Sequence, residues 1–258
     1  PDGRYKAAQL VRANWALRDM CLAYGIPLLS GKDSMYVDGH LAGGFGERHK
    51  ISGLPTMQFT ATSVVSDISN ALTLESKMAG DLVYILGETA NELGASEYYD
   101  LLGYVGLNVP RVEPQAYLPV YRALERAVQA GSVASCHGIY RGGLGVHAAL
   151  VAMGGLLGMT LDLSRIPIKI LHSQGPDPEG PFLRDDQILF SESCGRFLVT
   201  IPAEKRDEFE AHFQNLPCAC IGETTAEPQL FIKGSGGRIL LNEDIARLKA
   251  SWRRMPAA

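Results

Sequence analysis

Residues 25–35 read Gly25-Ile26-Pro27-Leu28-Leu29-Ser30-Gly31-Lys32-Asp33-Ser34-Met35, and the parsing of this run decides how the rest of the chain divides. Gly25 stands where a helix stop is expected, and Pro27 blocks continuation. The apolar residues 26–29 make a short buried-strand candidate. They would deliver Gly31, Lys32, Asp33 and Ser34 to a strand end, where ligand loops tend to sit. The run combines a glycine for close backbone approach, a cation for phosphate, a carboxylate suited to Mg²⁺ and a hydroxyl. It lacks the spacing of a Walker loop, which needs two glycines ahead of the lysine. A polar turn has the same composition, and from these residues alone both explanations stand.

Working outward, residues 5–24 carry apolar groups at Ala7, Leu10, Val11, Ala13, Leu17, Met20 and Cys21, close to helical spacing. Residues 37–54 gather glycines and charges and read as a mobile surface loop. Residues 56–65 are rich in β-branched groups and read as a strand ending at Ser66-Asp67. A polar connector over 68–80 precedes a fresh pattern at Asp81, which places a domain boundary near residue 70. Beyond it the pattern predicts strands at 82–86, 133–136, 159–163, 196–201, 218–222, 229–232 and 238–241. Helices are expected over 91–104, 114–130, 142–157, 203–215 and 243–254, with 164–187 irregular. Strands and helices mix without the regular alternation of a doubly wound sheet, so the expected class is α+β.

Composition bounds the function. The chain has 258 residues, 24 Lys+Arg against 28 Asp+Glu and a formal net charge of -4. A 46% hydrophobic and 20% charged composition is that of a folded protein, not a disordered tail. The mild acidity argues against a general nucleic-acid binder, and no apolar run approaches the ~18 residues of a membrane span. The opening stretch has no apolar signal core, and five cysteines with no dense framework fit a reducing, cytoplasmic setting. Residue 1 is Pro, and the text opens inside a helix pattern, which reads as a piece of a longer protein.

Other runs carry chemistry with a plainer explanation beside each. Asp67, at the end of an apolar strand, suits Mg²⁺ or a helix N-cap. Cys136-His137-Gly138-Ile139-Tyr140-Arg141-Gly142-Gly143-Leu144 joins a strand to a helix. Its Gly142-Gly143 pair suits an anion site or tight packing. In Phe190-Ser191-Glu192-Ser193-Cys194-Gly195-Arg196, the lone carboxylate of Glu192 is a cap or a paired charge in most proteins. Cys218 and Cys220 share one strand face and read as core, since C-x-C without a second pair is no zinc signature. The six histidines show no ligand spacing.

Residues 25–35, then Val64 to Asp67, then His137 with Gly142-Gly143-Leu144, then Leu189 to Ser193 with Gly195-Arg196, occur in an order that resembles the phosphoribosylformylglycinamidine synthase family. The resemblance runs from about residue 5 to about residue 240 and falls on the C-terminal half of the synthetase part. It implies an aminoimidazole ribonucleotide synthetase-like architecture. Residues 1–70 would be the back part of a second A-type domain, 71–232 a complete B-type α+β domain, and 233–258 a C-terminal extension with a helix. It also implies ATP and Mg²⁺ as cofactors and a phosphoribosyl substrate. The reaction would convert formylglycinamide ribonucleotide, with ammonia from glutamine, to the amidine through an iminophosphate. The implied contacts are Gly31, Lys32, Asp33, Ser34, His137, Gly142 and Gly143 for nucleotide or substrate, and Asp67 for the metal; no catalytic residue is assigned. Partners would be the missing N-terminal half and a glutaminase, or a second copy through the A-type sheet. One departure stands out. The family's His-Asp-x-Ser-Asp-Gly-Gly-Leu has Gly138 and Arg141 at its two Asp positions here, so this loop cannot hold Mg²⁺ with them. A structural half with a degenerate nucleotide site is the alternative, and another aminoimidazole ribonucleotide synthetase-like enzyme a further one.

Overall fold

The run Leu82-Val83-Tyr84-Ile85-Leu86 is apolar throughout, which a strand tolerates only when both of its faces are covered. That is its situation in the computed structural model, which describes residues 3–32, 38–53, 56–171 and 182–254. Strand β3 (Leu82–Leu86) lies near the middle of a seven-stranded sheet. The others are β4 (Ser135–Ile139), β5 (Gly158–Asp162), β6 (Arg196–Ile201), β7 (Cys218–Thr225), β8 (Gln229–Lys233) and β9 (Ile239–Asp244), in the order β4-β6-β3-β7-β5-β8-β9. Every neighbouring pair is antiparallel except β5 with β8. The fold is therefore α+β with a mixed sheet, as expected.

Period-2 alternation sorts the side chains into two cores. Val83, Ile85, Leu198 and Ile221 face one side, covered by α4 (Gly143–Gly155), α5 (Asp185–Phe190) and α7 (Ile245–Trp252). Tyr84, Leu86, Val199 and Ile201 face the other, covered by α3 (Pro114–Gln129) and α6 (Arg206–His212). Cys218 and Cys220 pack on this second core, as their spacing predicts, and all five cysteines are free thiols. Strand β9 and helix α7, in the stretch 233–258, join the same sheet and the first core.

The chain divides into two compact units, residues 1–66 and 67–258. In the first, α1 (Gly3–Tyr24) realises the helix read from the sequence. Three expectations differ. Residues 37–54 hold an antiparallel hairpin, β1 (Asp38–Ala42) with β2 (Arg48–Ser52), fastened by a 2.8 Å Lys50–Asp38 ion pair. Residues 26–29 and 56–65 are not strands. They are exposed, with Leu29 at 86% and Val64 at 93%, and have no described ladder to satisfy their backbone groups. In the second unit, the helix expected over 91–104 shrinks to α2 (Glu97–Leu101). The backbone of Gly94 lies against Asn108, its N–H donating to the Asn108 carbonyl at 2.8 Å, and Ala95 turns to φ +56, so no helix can start before the Ser96 cap.

Gly222 makes the closest approach inside the sheet. A Cβ there would stand 1.7 Å from the Thr160 carbonyl oxygen of β5. Gly222→Ala is expected to destabilise by several kcal/mol, as overpacking and strain do, whereas Gly236→Ala, whose Cβ would enter open space, changes stability by less than ~0.5 kcal/mol. Urea denaturation of the two variants checks this contrast.

Candidate functional site

Gly31 and Lys32 follow α1 in exposed, irregular chain, while Asp33 and Ser34 lie outside the described residues. Asp67 takes the cap role: its Oδ1 accepts from Ser69 N at 2.9 Å and Ser69 Oγ at 2.7 Å, starting a 3-10 turn over Ile68–Asn70. Those two bonds hold its carboxyl below the usual carboxylate range. A Mg²⁺ site wants several oxygen ligands. Among the described residues no three His, Cys, Asp or Glu side chains converge on one point, whereas a Mg²⁺ held by one or two carboxylates with phosphate oxygens and waters needs fewer.

A different constellation is well built, and it joins three separate segments. Arg196, at the start of β6, is 2% exposed. Its guanidinium donates to the Ser193 carbonyl at 2.9 Å, Thr89 Oγ1 at 2.9 Å and the Ser191 carbonyl at 2.5 Å. Burial pushes its pKa down to about 10, with the negative charge of Glu92 opposing the shift, so it stays a cation at neutral pH. Ser191 Oγ donates to the Ala90 carbonyl at 2.6 Å, and Ser193 Oγ accepts from Ala90 N at 3.1 Å. Glu92, 5% exposed, accepts from Arg111 N at 3.0 Å. Between the two serines, Glu192 Oε1 accepts from Glu97 N at 2.9 Å and Gly142 N at 2.8 Å. One side chain thus ties α2 and the start of α4 to the 190–196 segment. The sequence offered Glu192 as a cap or paired charge, and it caps two segments at once. In the sequence, the signal of the Arg196 role is an arginine opening a largely apolar strand.

The Gly142-Gly143 pair is tightly packed. Both residues have positive φ, +88 and +69, and a Cβ on Gly143 would meet the backbone of Leu189 and Phe190 at 2.6 Å. Gly142 N goes to Glu192, and Gly143 N to the Tyr140 carbonyl at 2.9 Å. Arg141 pairs with the side chain of Glu97.

His137, on β4, is brought to the same place. Its Nε2 lies 2.9 Å from Nδ1 of His147 on α4, whose Nε2 lies 3.1 Å from the Arg141 carbonyl. A carbonyl only accepts, so His147 Nε2 carries the proton; its Nδ1 then accepts, and His137 Nε2 donates. Burial, reinforced by His137, depresses the pKa of His147 to about 4, and burial lowers that of His137 too. The pair holds the Tyr140–Gly142 loop as neutral imidazoles. Nearby, a small pocket is lined by Glu88, Glu92, Tyr117 and Cys194, with Lys169 and Glu113 paired at 2.6 Å. Burial raises the Cys194 pKa, so the thiol is no activated nucleophile.

Residues 78–235 match the family described as AIR synthase related protein, C-terminal domain. The chain belongs to that family. Solved structures from Thermotoga maritima share the fold. PurL complexed with FGAR is 20% identical, with 70% of this chain matched to 29% of that one at a TM-score of 0.58. PurL complexed with ATP is 20% identical over 70% of this chain and 27% of that one, at 0.54. PurLQS is 18% identical over 70% and 28%, at 0.56. The chain spans less than a third of the length of these structures. Within the AIR synthase-related domain no described helix is long and apolar enough to cross a membrane.

Two outcomes test this site. Arg196→Ala strands two carbonyls and the Thr89 hydroxyl in the interior and is expected to cost about 3–5 kcal/mol by urea denaturation, with Arg196→Lys recovering only part. His147 has a folded pKa of about 4 against an ordinary 6.5. The unfolded chain therefore binds the proton first as pH falls. The contribution of His147 is complete above 6.5, erodes down to about 4 and changes no further below. His147→Gln should flatten the stability–pH curve in that window.

Proposed function

We propose that this chain is part of a phosphoribosylformylglycinamidine synthase, contributing one side of an ATP and phosphoribosyl-substrate site in purine biosynthesis. The observation that carries the reading is the union of an AIR synthase-related domain over 78–235 with the Gly31-Lys32-Asp33-Ser34 run upstream of it. The fold likeness to PurL, a protein solved with ATP, with ADP and with FGAR, supports it.

In the full enzyme the formyl-glycinamide oxygen attacks the γ-phosphorus of ATP and ADP leaves; ammonia then adds to the carbon of that iminophosphate, and phosphate departs. This chain's part is to hold phosphate. Lys32 supplies the charge. Gly31 has no side chain to hinder the close approach of a phosphate to its backbone. The remaining synthetase half and a glutaminase are the partners of this reading, and the chain alone has no turnover. A second reading, a structural half with a degenerate nucleotide site, draws on the Asp67 cap and on the engaged Gly142 and Gly143 amides.

Calorimetry with ATP separates the two. Under the first, Lys32→Ala weakens binding ~10–100-fold, the worth of one charge-assisted hydrogen bond. No heat at millimolar ATP from the wild-type chain or from the chain reunited with its N-terminal half would sink it and leave the structural half.

A further inference from the structure

The amino end of α4 has the makings of an anion site: two consecutive glycines in left-handed geometry, a buried amide at Gly142 and the guanidinium of Arg141 beside it. The amide is already taken. Glu192 Oε1 sits 2.8 Å from Gly142 N and 2.9 Å from Glu97 N, where an oxygen of a bound phosphate would sit. We propose that Glu192 is the protein's own substitute for a bound anion at this loop, and that its carboxylate keeps the loop closed to phosphate-bearing ligands.

The surroundings fix the carboxylate in that place. Ser191 and Ser193 on either side are buried and bonded to Ala90, and Arg196 holds the carbonyls of both. Glu192 is thus clamped at both neighbouring residues. A phosphate would have to displace a carboxylate held by two charge-assisted bonds, beside a Glu97 side chain already paired with Arg141. The glycines are explained without a ligand, since Gly143 lets α4 lie against the Leu189–Phe190 backbone. The charges facing the loop are Glu192, Glu97, Arg141 and, from beneath, buried Arg196. Removing Glu192 frees two amide donors and leaves the cations in excess, which turns a closed loop into an open anion hole.

The test is thermal unfolding of the full chain in phosphate against chloride at matched ionic strength. In Glu192→Ala, phosphate at about tenfold its Kd is expected to raise Tm by roughly 3–5 °C over chloride. The wild type is expected to show no phosphate-specific rise, and Arg141→Ala added to Glu192→Ala abolishes most of the gain. The proposal is overturned if Glu192→Ala gains no more than the wild type, or if the wild-type Gly142 amide resonance moves on titration with inorganic phosphate. Should the alanine variant fail to fold, Glu192→Gln carries the test. Its neutral amide still accepts from both N–H groups but competes less well, so a smaller phosphate-specific rise is expected, and none overturns the proposal.

Discussion

A buried guanidinium organises the best-defined part of this molecule. Taking an arginine out of water costs several kcal/mol unless its donors find acceptors in good geometry, and Arg196 meets that demand by drawing on two chain segments far apart in sequence, Thr89 and 191–193. Because two of the three acceptors are backbone carbonyls, the requirement fixes the path of the chain and not merely the identity of side chains. Ser191, Glu192 and Ser193 are then presented in fixed directions, the serines to Ala90 and the carboxylate to Glu97 and Gly142. The neutral His137–His147 pair supports the same loop from the sheet side.

The sheet provides the rigid frame for that arrangement. Helices cover both of its faces, so β3, β6 and β7 could be apolar on each, and their side chains alternate between two cores. The 1–66 unit is built differently. Its helix α1 buries no residue, and Leu10, Trp15, Leu29 and Phe59 are exposed there.

Legibility in the sequence followed the locality of the signal. β3 and β6 were readable to the residue because an apolar run bounded by polar punctuation needs no partner to be recognised. Helix α3 was readable almost to the residue, expected over 114–130 and found over Pro114–Gln129. Residues 91–104 misled because their helix-like pattern is interrupted by Gly94, whose role is contact with Asn108, fourteen residues on. Residues 26–29 and 56–65 misled in the opposite way: their composition favours strands, but a strand exists only as part of a ladder. Asp67 and Gly142-Gly143 each admit two explanations from the sequence, and the structure adds their hydrogen-bond partners, Ser69 for Asp67 and Glu192 and the Tyr140 carbonyl for the two glycine amides.

What the residues alone determined is the family resemblance, the α+β class and the loss of two carboxylates at Gly138 and Arg141, since each of these is carried by identity and order along the chain. What only the tertiary structure decided is who satisfies whom. Glu192, Gly142 and Glu97 are 50 and 95 positions apart in their pairings, and Arg196 reaches 107 positions back to Thr89. No periodicity encodes a hydrogen bond of that span. It arises because buried polar groups must be paired, and the folded chain offers each of them only the partners that packing has brought within reach.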